Sequence, residues 1–493
     1  MSPGRAGKRA ASRRRLPKTG GAAPRPEAPD PSNRVHIPVS RRSGISWPAI
    51  PAFVDAAVLA LQHQLEESQW WPAETLLELQ LRQLESLLAH AARTVPFYRE
   101  RLRSLAGLGR GGLTMDAFRR LPVLRRTDIQ EAAAALVSRR LPKDHGNTSD
   151  ISTSGSTGRP ITVKGTAVTG MFFRAMNLRY HLWHGRDFSA KTAAIHALRG
   201  ASARAAETGE SVSWVPGYDS GPMVYFDVSR PVGEQLDWLR RQNPGYLLTY
   251  PSNLRALLRR CEETGERPDR LREVATMGEV LDSGVRAACE TVWGVPVVDA
   301  YSAQEIGMIA LQCPEHPHYH VQAECVLVEV LDNDGEPCAP GEVGRIVITA
   351  LHNFATPLIR YEIGDFAEVG PPCPCGRGLP VITRIAGRVH NMLTLPSGEQ
   401  VWPVQFFSSE LLAVAPVRQF QFVQRSVEEI EVKLATAREL REDEEAGLRE
   451  LIGTRLGHGF ALRFVYVDEI PRLPSGKYED FRSDVTAPRA GAR

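Results

Sequence analysis

A short run of hydroxyl-bearing residues and glycines lies in the first third of the chain. It consists of Thr153, Ser154, Gly155, Ser156, Thr157 and Gly158, and it is followed by Arg159 and Pro160. The hydroxyls can donate hydrogen bonds, and the glycines let backbone N–H groups turn toward a bound anion. Apolar β-branched residues on both sides, Ile151 before and Ile161–Val163 after, indicate flanking strands. The pattern predicts a loop that holds a triphosphate, with an ordinary Ser/Gly turn as the alternative.

Four later segments carry charged or aromatic side chains near glycines or at the predicted ends of strands. They are Asp299–Gly307, Arg360–Asp365, Ile385–Arg388 and Pro471–Lys477. Each segment alone says little, because a single Glu, Asp or Lys is usually a surface charge. Their order and spacing after the Ser/Gly loop favour one combined active site.

Cysteine and histidine form a second group of chemically active residues. Its members are Cys313, His316, Cys373 and Cys375, the ligand set of a closed tetrahedral zinc site. His318 or His320 can take the place of His316. Four protein ligands leave no open position on the metal, which predicts a structural zinc ion. The alternative is a set of small buried thiols.

The hydrophobic pattern predicts the elements that position these residues. Residues 74–92 have leucines at helical spacing and predict an amphipathic helix. From about 150 to 385, short β-branched runs alternate with helical stretches such as 252–262 and 282–293, which indicates an α/β fold. Two strands joined by a turn are predicted at 325–331 and 344–349. After Arg388 the predicted elements are a helix at 403–413, strands at 419–423 and 429–434, a helix at 437–456 and a strand at 461–467.

The composition limits the class of protein. A chain of 493 residues is too long for one compact core, which predicts two or more domains. No run of about 18 apolar residues exists and no apolar segment follows the basic N-terminus, so neither a membrane span nor a secretory signal is expected. Seven cysteines, an odd number in a large chain without such a signal, predict reduced thiols and a cytoplasmic location.

The charge is distributed unevenly along the chain. Residues 1–42 carry a net charge of +9, and the remainder therefore carries −6. The same 42 residues are rich in Pro, Gly, Ala and Ser, which predicts a disordered basic tail. The tail can contact nucleic acid or an acidic partner, or it is only a solvated extension. The acidic balance of the remainder disfavours nucleic acid as its main ligand.

Together these segments resemble the adenylate-forming superfamily of acyl-CoA ligases, adenylation domains and luciferases. The resemblance covers about residues 65–485 and is greatest to the branch of phenylacetate–CoA ligases and capsule-biosynthesis proteins. The segments shared with that branch include Ser68–Trp70, Val95–Tyr98, Leu121–Leu124 and Cys373–Arg377.

The resemblance implies a role for each motif residue. The residues assigned to ATP are Thr153, Ser154, Gly155, Ser156, Thr157, Gly158, Gly278, Glu279, Tyr301, Ser302, Gln304 and Asp365. Within this set, Gly278 and Glu279 line the adenine pocket and Asp365 accepts the ribose hydroxyls. Glu305 is implied to bind Mg²⁺, Arg388 to contact ribose or phosphate, and Lys477 to reach the α-phosphate and the substrate carboxylate during adenylation.

The resemblance also implies the fold and the reaction. The fold is α/β, with a large N-terminal domain of packed mixed sheets and a small barrel at 43–387 and a small mobile α+β domain at 388–493. The reaction is ATP-dependent activation of an aryl or other small carboxylic acid to an acyl-adenylate, followed by transfer to CoA. His390 stands where the hinge usually has Asp, and the Leu395–Gly398 loop is one residue longer than in the phenylacetate enzymes. Both departures leave an amine open as the alternative acceptor.

Overall fold

Helices and strands alternate through most of the chain. The computed structural model describes residues 36–103, 112–153, 160–209, 212–388, 392–401, 408–473 and 475–485. Within these ranges helices α1 to α13 are Phe53–Ser68, Ala73–Thr94, Tyr98–Arg101, Met115–Arg119, Arg126–Glu131, Ala133–Leu136, Ala167–Trp183, Gly200–Thr208, Val232–Gln242, Pro251–Thr264, Ser283–Val292, Ser408–Val414 and Glu442–Leu456. Strands β1 to β20 are Thr148–Ser152, Thr162–Thr166, Thr192–His196, Val212–Ser213, Pro222–Asp227, Tyr246–Thr249, Glu273–Met277, Val297–Ala303, Gly307–Gln312, Tyr319–Val321, Val326–Leu331, Val343–Ala350, Tyr361–Val369, Val381–Arg388, Leu393–Thr394, Gln400–Val401, Val417–Gln424, Glu429–Thr436, Ala461–Tyr466 and Phe481–Ser483. None of these helices is long and apolar enough to cross a membrane.

Twelve of the described strands form one mixed sheet, in the order β11-β12-β13-β14-β10-β9-β8-β7-β6-β3-β5-β4. Strands β5, β3, β6, β7 and β8 run parallel. From β8 to β11 each neighbouring pair is antiparallel. The predicted α/β class is confirmed. Within the described ranges these twelve strands are joined by hydrogen bonds into a single sheet.

The parallel half of the sheet is covered by helices that the sequence predicted. Helix α10 corresponds to the predicted 252–262 and α11 to the predicted 282–293. Leu254 and Leu257 of α10 and Cys289 of α11 pack with Leu247 of β6 and Val274 of β7 in one buried cluster. Because β6, β7 and β8 are parallel neighbours, the loops that follow them meet at one edge of the sheet. This edge carries the candidate active site.

The antiparallel half packs against the leucine-rich helix. The predicted helix 74–92 is confirmed as α2. Its Leu84 and Leu88 are buried in a cluster with Ile348 of β12 and Tyr361 of β13. The predicted strands 325–331 and 344–349 are confirmed as the antiparallel pair β11 and β12. Burial of α2 therefore fixes the position of β13, which carries Tyr361 and Asp365.

The C-terminal part of the chain has its own small sheet, in the order β19-β18-β17-β20. Its core contains Phe422, Val432, Leu448 and Ile452. The predicted strands are confirmed as β17, β18 and β19, and the predicted helix 437–456 is confirmed as α13 except that it begins at Glu442. The first residues of the predicted helix 403–413 lie outside the described ranges. The sequence did not predict the three-residue strand β20. We retain 43–387 and 388–493 as proposed domains.

The structure differs from the prediction at the end of the basic tail. Pro38 forms a β-bridge with Tyr218, and the N–H of Val39 donates to the carbonyl of Gly217 at 2.9 Å. Residues 38 and 39 therefore belong to the folded body, because their backbone groups are paired with it. Composition alone missed this contact, since a β-bridge needs no apolar pattern. Residues 1–35 lie outside the described ranges.

Candidate active site

A cleft of about 530 Å³ lies at the carboxyl edge of the parallel strands. Gly278 and Glu279, which follow β7, line the cleft. Tyr301 and Ser302 of the neighbouring strand β8 line it as well. Asp365, Arg388 and Lys477 also line this cleft. The structure thus brings together seven of the residues that the sequence predicted. Gln304 is exposed on the turn after β8 and is not among the cleft-lining residues.

Asp365 lies at the centre of a buried polar group. Its Oδ2 accepts a hydrogen bond from the hydroxyl of Tyr301 at 2.7 Å, and its Oδ1 accepts one from Nε of Arg388 at 2.9 Å. Asp365 and Arg388 are direct cross-strand partners on β13 and β14. Burial, reinforced by the negative charge of Asp365, raises the pKa of Tyr301 well above its usual value, so its hydroxyl stays protonated and donates.

A second carboxylate supports β8 beneath Tyr301. Asp299 is buried and accepts hydrogen bonds from the hydroxyls of Thr276 at 2.6 Å and Tyr319 at 2.7 Å. Its own backbone N–H donates to the side chain of Gln312 at 3.0 Å. These bonds fix the strand that carries Tyr301. The sequence placed Asp299 in a motif but did not indicate Tyr319, because Tyr319 and its partner Asp299 lie on different strands.

Glu305 lies on the turn between β8 and β9 and is 7% exposed. Its Oε1 accepts a hydrogen bond from the hydroxyl of Tyr361 at 3.2 Å. Burial, with Glu305 nearby, raises the pKa of Tyr361, so this hydroxyl also remains a donor. Tyr361 is fully buried on β13 and was not predicted as a site residue.

The flanks of the Ser/Gly loop are held together by hydrogen bonds. Strands β1 and β2 pair antiparallel with Ile151 opposite Val163, which confirms the predicted flanking strands. The N–H of Thr153 donates to the carbonyl of Ile161 at 2.9 Å, and the N–H of Ile161 donates to the Thr153 hydroxyl at 3.1 Å. Arg126 of α5, which the sequence did not indicate, donates to the same hydroxyl at 3.0 Å. The loop itself, Ser154 to Gly158, lies outside the described residues.

Lys477 reaches the cleft from the C-terminal part of the chain. Its Cε and Nζ lie 3.2 and 3.6 Å from the point that a Cβ on Gly278 would occupy. Gly278 has φ +79°, a conformation that suits glycine, and it leaves space for the lysine stem. Burial and the nearby charge of Arg388 lower the pKa of Lys477, while the carboxylates of Asp365 and Glu279 act in the opposite direction.

A cluster of thiols and imidazoles includes the two neighbours of Tyr319, which lines this cleft. Cys313, His318, His320 and Cys373 place one ligand atom each within 4.8 Å of the others. Sγ of Cys375 is 3.4 Å from Nε2 of His320. The structure therefore brings Cys313 and Cys373 together with the two alternative histidines. The predicted His316 is not in this group, and its ring stacks on His318 at a centroid distance of 5.3 Å.

The register of β10 against β9 and β14 explains why His318 and His320 lie in the cluster. Both flank Tyr319, which pairs with Gln312 of β9 and Ile382 of β14. The N–H of Cys313 donates to the carbonyl of His318 at 2.8 Å, which closes the turn beside Cys313. Burial, together with the charge of Arg377, lowers the pKa of His320 to about 4, so its imidazole is neutral and can act as a metal ligand.

Comparisons with known proteins support the family resemblance. A family model described as AMP-binding enzyme matches residues 151–355, and a second, described as the CapK C-terminal domain, matches residues 396–483. Phenylacetate-coenzyme A ligase of Thermus thermophilus is 28% identical over 384 residues, which cover 75% of this chain and 83% of that protein. Protein CapK of Staphylococcus aureus is 28% identical over 142 residues, which cover 28% of this chain and 31% of that protein.

The fold matches solved structures as well. 2-Hydroxyisobutyryl-CoA ligase in the postadenylation state, in complex with R3-HIB-AMP, superposes with a TM-score of 0.68 at 20% identity, covering 85% of this chain and 92% of that chain. The resemblance inferred from the motifs is confirmed. Residues 151–355 match the AMP-binding enzyme family, the chain is similar to the branch that contains the phenylacetate–CoA ligases and CapK, and these comparisons support an AMP-forming ligase.

Proposed function

We propose that this protein uses ATP to convert a carboxylic acid to its acyl-adenylate and then transfers the acyl group to CoA. One observation carries the first step: Lys477 lies against Gly278 in the same cleft as Tyr301, Asp365 and Arg388. A substrate carboxylate and the α-phosphate of ATP are both negative, so their reaction needs a cation at this point. Lys477 supplies that cation in a buried setting, where it acts more strongly than in water.

The first step forms one bond and breaks one. A carboxylate oxygen of the acid attacks the α-phosphorus of ATP, and the bond to the bridging oxygen breaks, so that pyrophosphate leaves with its electron pair. Asp365 accepts the ribose hydroxyls, and Arg388, held by Asp365, contacts ribose or phosphate. The side chain of Lys477 stabilises the charge that builds on the α-phosphate. The Ser/Gly loop donates hydrogen bonds to the departing phosphates.

Glu305 is the proposed residue for Mg²⁺. Its carboxylate is buried beside Tyr361, and carboxylate oxygens are the ligands that Mg²⁺ prefers in nucleotide sites. Tyr361 occupies Oε1 and orients the group. When bound, the ion offsets the negative charge of the phosphates.

The acid is proposed to be an aryl or other small organic acid. The support comes from the Thermus thermophilus, Aromatoleum evansii and Pseudomonas putida relatives, all named phenylacetate-coenzyme A ligase. The same names favour CoA as the acceptor. In the second step the acceptor thiol attacks the carbonyl carbon of the acyl-adenylate, its proton is released, and AMP leaves.

An amine is the second candidate acceptor. It is favoured by two departures from the phenylacetate enzymes, His390 at the hinge and the longer Leu395–Gly398 loop. The longer loop forms the turn of the β15–β16 hairpin, in which Gly398 has φ +85° and its N–H donates to the carbonyl of Leu395 at 2.8 Å. His390 lies outside the described residues.

The thiol and imidazole cluster is proposed to hold a structural zinc ion. Two thiolates and two neutral imidazoles suit Zn²⁺, and Cys375 is close enough to replace one of the histidines. Arg377, two residues further, stacks its guanidinium on Trp70 and Trp183 at 4.6 and 4.7 Å from the ring centroids. The ion would therefore fix a loop that is already packed against the N-terminal helices.

The experiment that tests the proposed function is a pyrophosphate-release assay over a panel of aryl and alkyl acids. Acid-dependent release of pyrophosphate supports adenylation, and no release with any acid contradicts it. Mass spectrometry of reactions with the best acid, ATP and either CoA or a mixture of amines then identifies the acceptor. A thioester supports CoA, whereas an amide formed while CoA leaves only the acyl-adenylate supports the amine.

A further inference from the structure

The carboxylate of Glu279 is engaged by two separate parts of the chain. Its Oε2 accepts the backbone N–H of Ser252 at 2.9 Å, and its Oε1 accepts the Ser252 hydroxyl at 3.0 Å. The same Oε1 accepts the backbone N–H of Tyr478, the residue after Lys477, at 2.6 Å. The guanidinium of Arg472 lies 3.9 Å from this oxygen. Glu279 is therefore a carboxylate with only 9% of its side chain exposed, and its hydrogen bonds join α10 to the segment that carries Lys477.

That segment, residues 472–478, is here called the lysine loop; residue 474 lies outside the described ranges. It is held at further points by the loop after β6 and the start of α10. The hydroxyl of Tyr250 donates to the carbonyl of Ser475 at 3.2 Å, and Arg472 donates to the Ser252 hydroxyl at 2.8 Å. Arg472 also donates to the carbonyl of Gly476 at 3.1 Å, inside the loop. Ser252 thus connects Glu279 and Arg472, so the loop is fixed on both sides of Lys477.

The lysine loop also packs closely against Ala197 and Val228. A Cβ on Gly476 would come within 2.8 Å of Cβ of Ala197 and 3.0 Å of Cγ1 of Val228. These contacts hold the loop against the edge of the sheet, but they do not set the position of the Lys477 side chain. The bond from the Tyr478 N–H to Glu279 determines how far the neighbouring Lys477 side chain extends over Gly278, because it fixes the backbone one residue away.

We propose that Glu279 is a positioning residue that holds the lysine loop, and with it Lys477, in the place required for adenylation. The inference rests on the proposed function and adds to the adenine-lining role implied for this position. Glu279 does not touch the reacting atoms. It acts through Lys477, and the hold must be released before the acceptor attacks, because Lys477 then leaves the cleft.

The two roles predict different kinetics. An acyl-adenylate carries the same adenine as ATP, so a residue that only binds adenine serves both half-reactions. A residue that positions Lys477 serves the first half-reaction alone, because the second does not use that cation. The split between the half-reactions therefore distinguishes a positioning role from an adenine contact.

The test uses Glu279→Gln in the full chain. An amide keeps the volume but turns an NH₂ group toward either the Ser252 N–H or the Tyr478 N–H, so one hydrogen bond is replaced by two facing donors. We expect the kcat of adenylation to fall roughly 10- to 100-fold with little change in the KM for ATP. Conversion of chemically prepared acyl-adenylate to product should be unchanged or faster. Ser252→Ala, which removes one bond to Glu279 and one from Arg472, should show the same split with a smaller loss.

A double-mutant cycle with Lys477→Ala makes the test specific. If Glu279 acts only through Lys477, the variant carrying both changes adenylates no more slowly than Lys477→Ala alone. Additive losses, or equal losses in both half-reactions, would overturn the inference. Glu234→Gln, at an exposed glutamate of α9 that pairs with Arg230, is the control and should match the wild type. Failure of the wild type to release pyrophosphate would contradict the proposed function instead, so the two failures are separable.

Discussion

The hydroxyl of Tyr301 donates to Asp365 at 2.7 Å across the floor of the cleft, although the two residues are 64 positions apart in the chain. The bond orients the carboxylate that is proposed to accept the ribose hydroxyls. Arg388 binds the other carboxylate oxygen. Nucleotide binding at this site is therefore expected to depend on the charge of Asp365 more than on either of its partners.

Asp365→Asn should weaken ATP binding roughly 10- to 100-fold, because the amide loses the charge that holds Arg388 and offers one acceptor oxygen in place of two. Tyr301→Phe should weaken it by only about 3- to 5-fold, since Asp365 keeps its bond to Arg388. Isothermal titration with ATP measures both affinities. Wild-type affinity in Asp365→Asn would show that the ribose binds elsewhere.

Lys477→Ala should lower the rate of adenylation by roughly 10²-fold or more, a loss of about 3 kcal/mol of transition-state stabilisation. The reaction of preformed acyl-adenylate with its acceptor should change little, because that step does not use the lysine charge. Rapid-quench measurements of each half-reaction separate the two. Equal losses in both would contradict the assigned role.

The adenylation activity should fall at alkaline pH. Burial and Arg388 lower the pKa of Lys477 below the ordinary value of 10.5. The active cation is present at pH values below this lowered pKa and is lost as the pH rises through it, so kcat/KM for ATP should decline on the alkaline side. Profiles from about pH 6 to pH 10 measure this limb. In Lys477→Arg the remaining activity should show no such limb, because arginine stays charged throughout this range; a limb at the same pH would assign it to another group.

Gly278→Ala should impair adenylation selectively. The added Cβ would lie 3.2 Å from Cε of Lys477, and φ of +79° is strained for alanine. Gly294→Ala is the matched control, because Gly294 has φ +71° but no atom within 4 Å of a Cβ. Both variants should lose similar stability in thermal unfolding, while only Gly278→Ala loses adenylation, roughly 10-fold. Equal activities would mean that the lysine stem does not need this space.

Purified protein, prepared without chelator, should contain about one equivalent of zinc. Cys373→Ser should lose the metal and unfold at a lower temperature, whereas Cys338→Ser, outside the cluster, should keep it. His316→Ala should also keep the metal, because His318 and His320 are the histidines near the thiols. Elemental analysis decides both points. Protein without zinc would remove the site, and loss of zinc in His316→Ala alone would restore the ligand set predicted from the sequence.

Local sequence patterns were enough to predict the fold class, one of the main helices and the candidate site residues. The leucine spacing predicted α2, the alternating runs predicted the α/β class, and the motifs identified Tyr301, Asp365, Arg388 and Lys477 as residues that meet in one site. The predictions of helices and strands succeed because helix and strand periodicity act over a few residues. The roles assigned to the motif residues stay predictions.

Tertiary structure alone decided the contacts between distant segments. Glu279 and Tyr478 are 199 residues apart, and nothing in either segment indicates their hydrogen bond. The register of β10 against β9 and β14 brought His318 and His320, and not His316, to the cysteines. A sequence shows which residues can bind a charge or a metal, but only the strand order and register of the folded chain determine which of them lie within bonding distance.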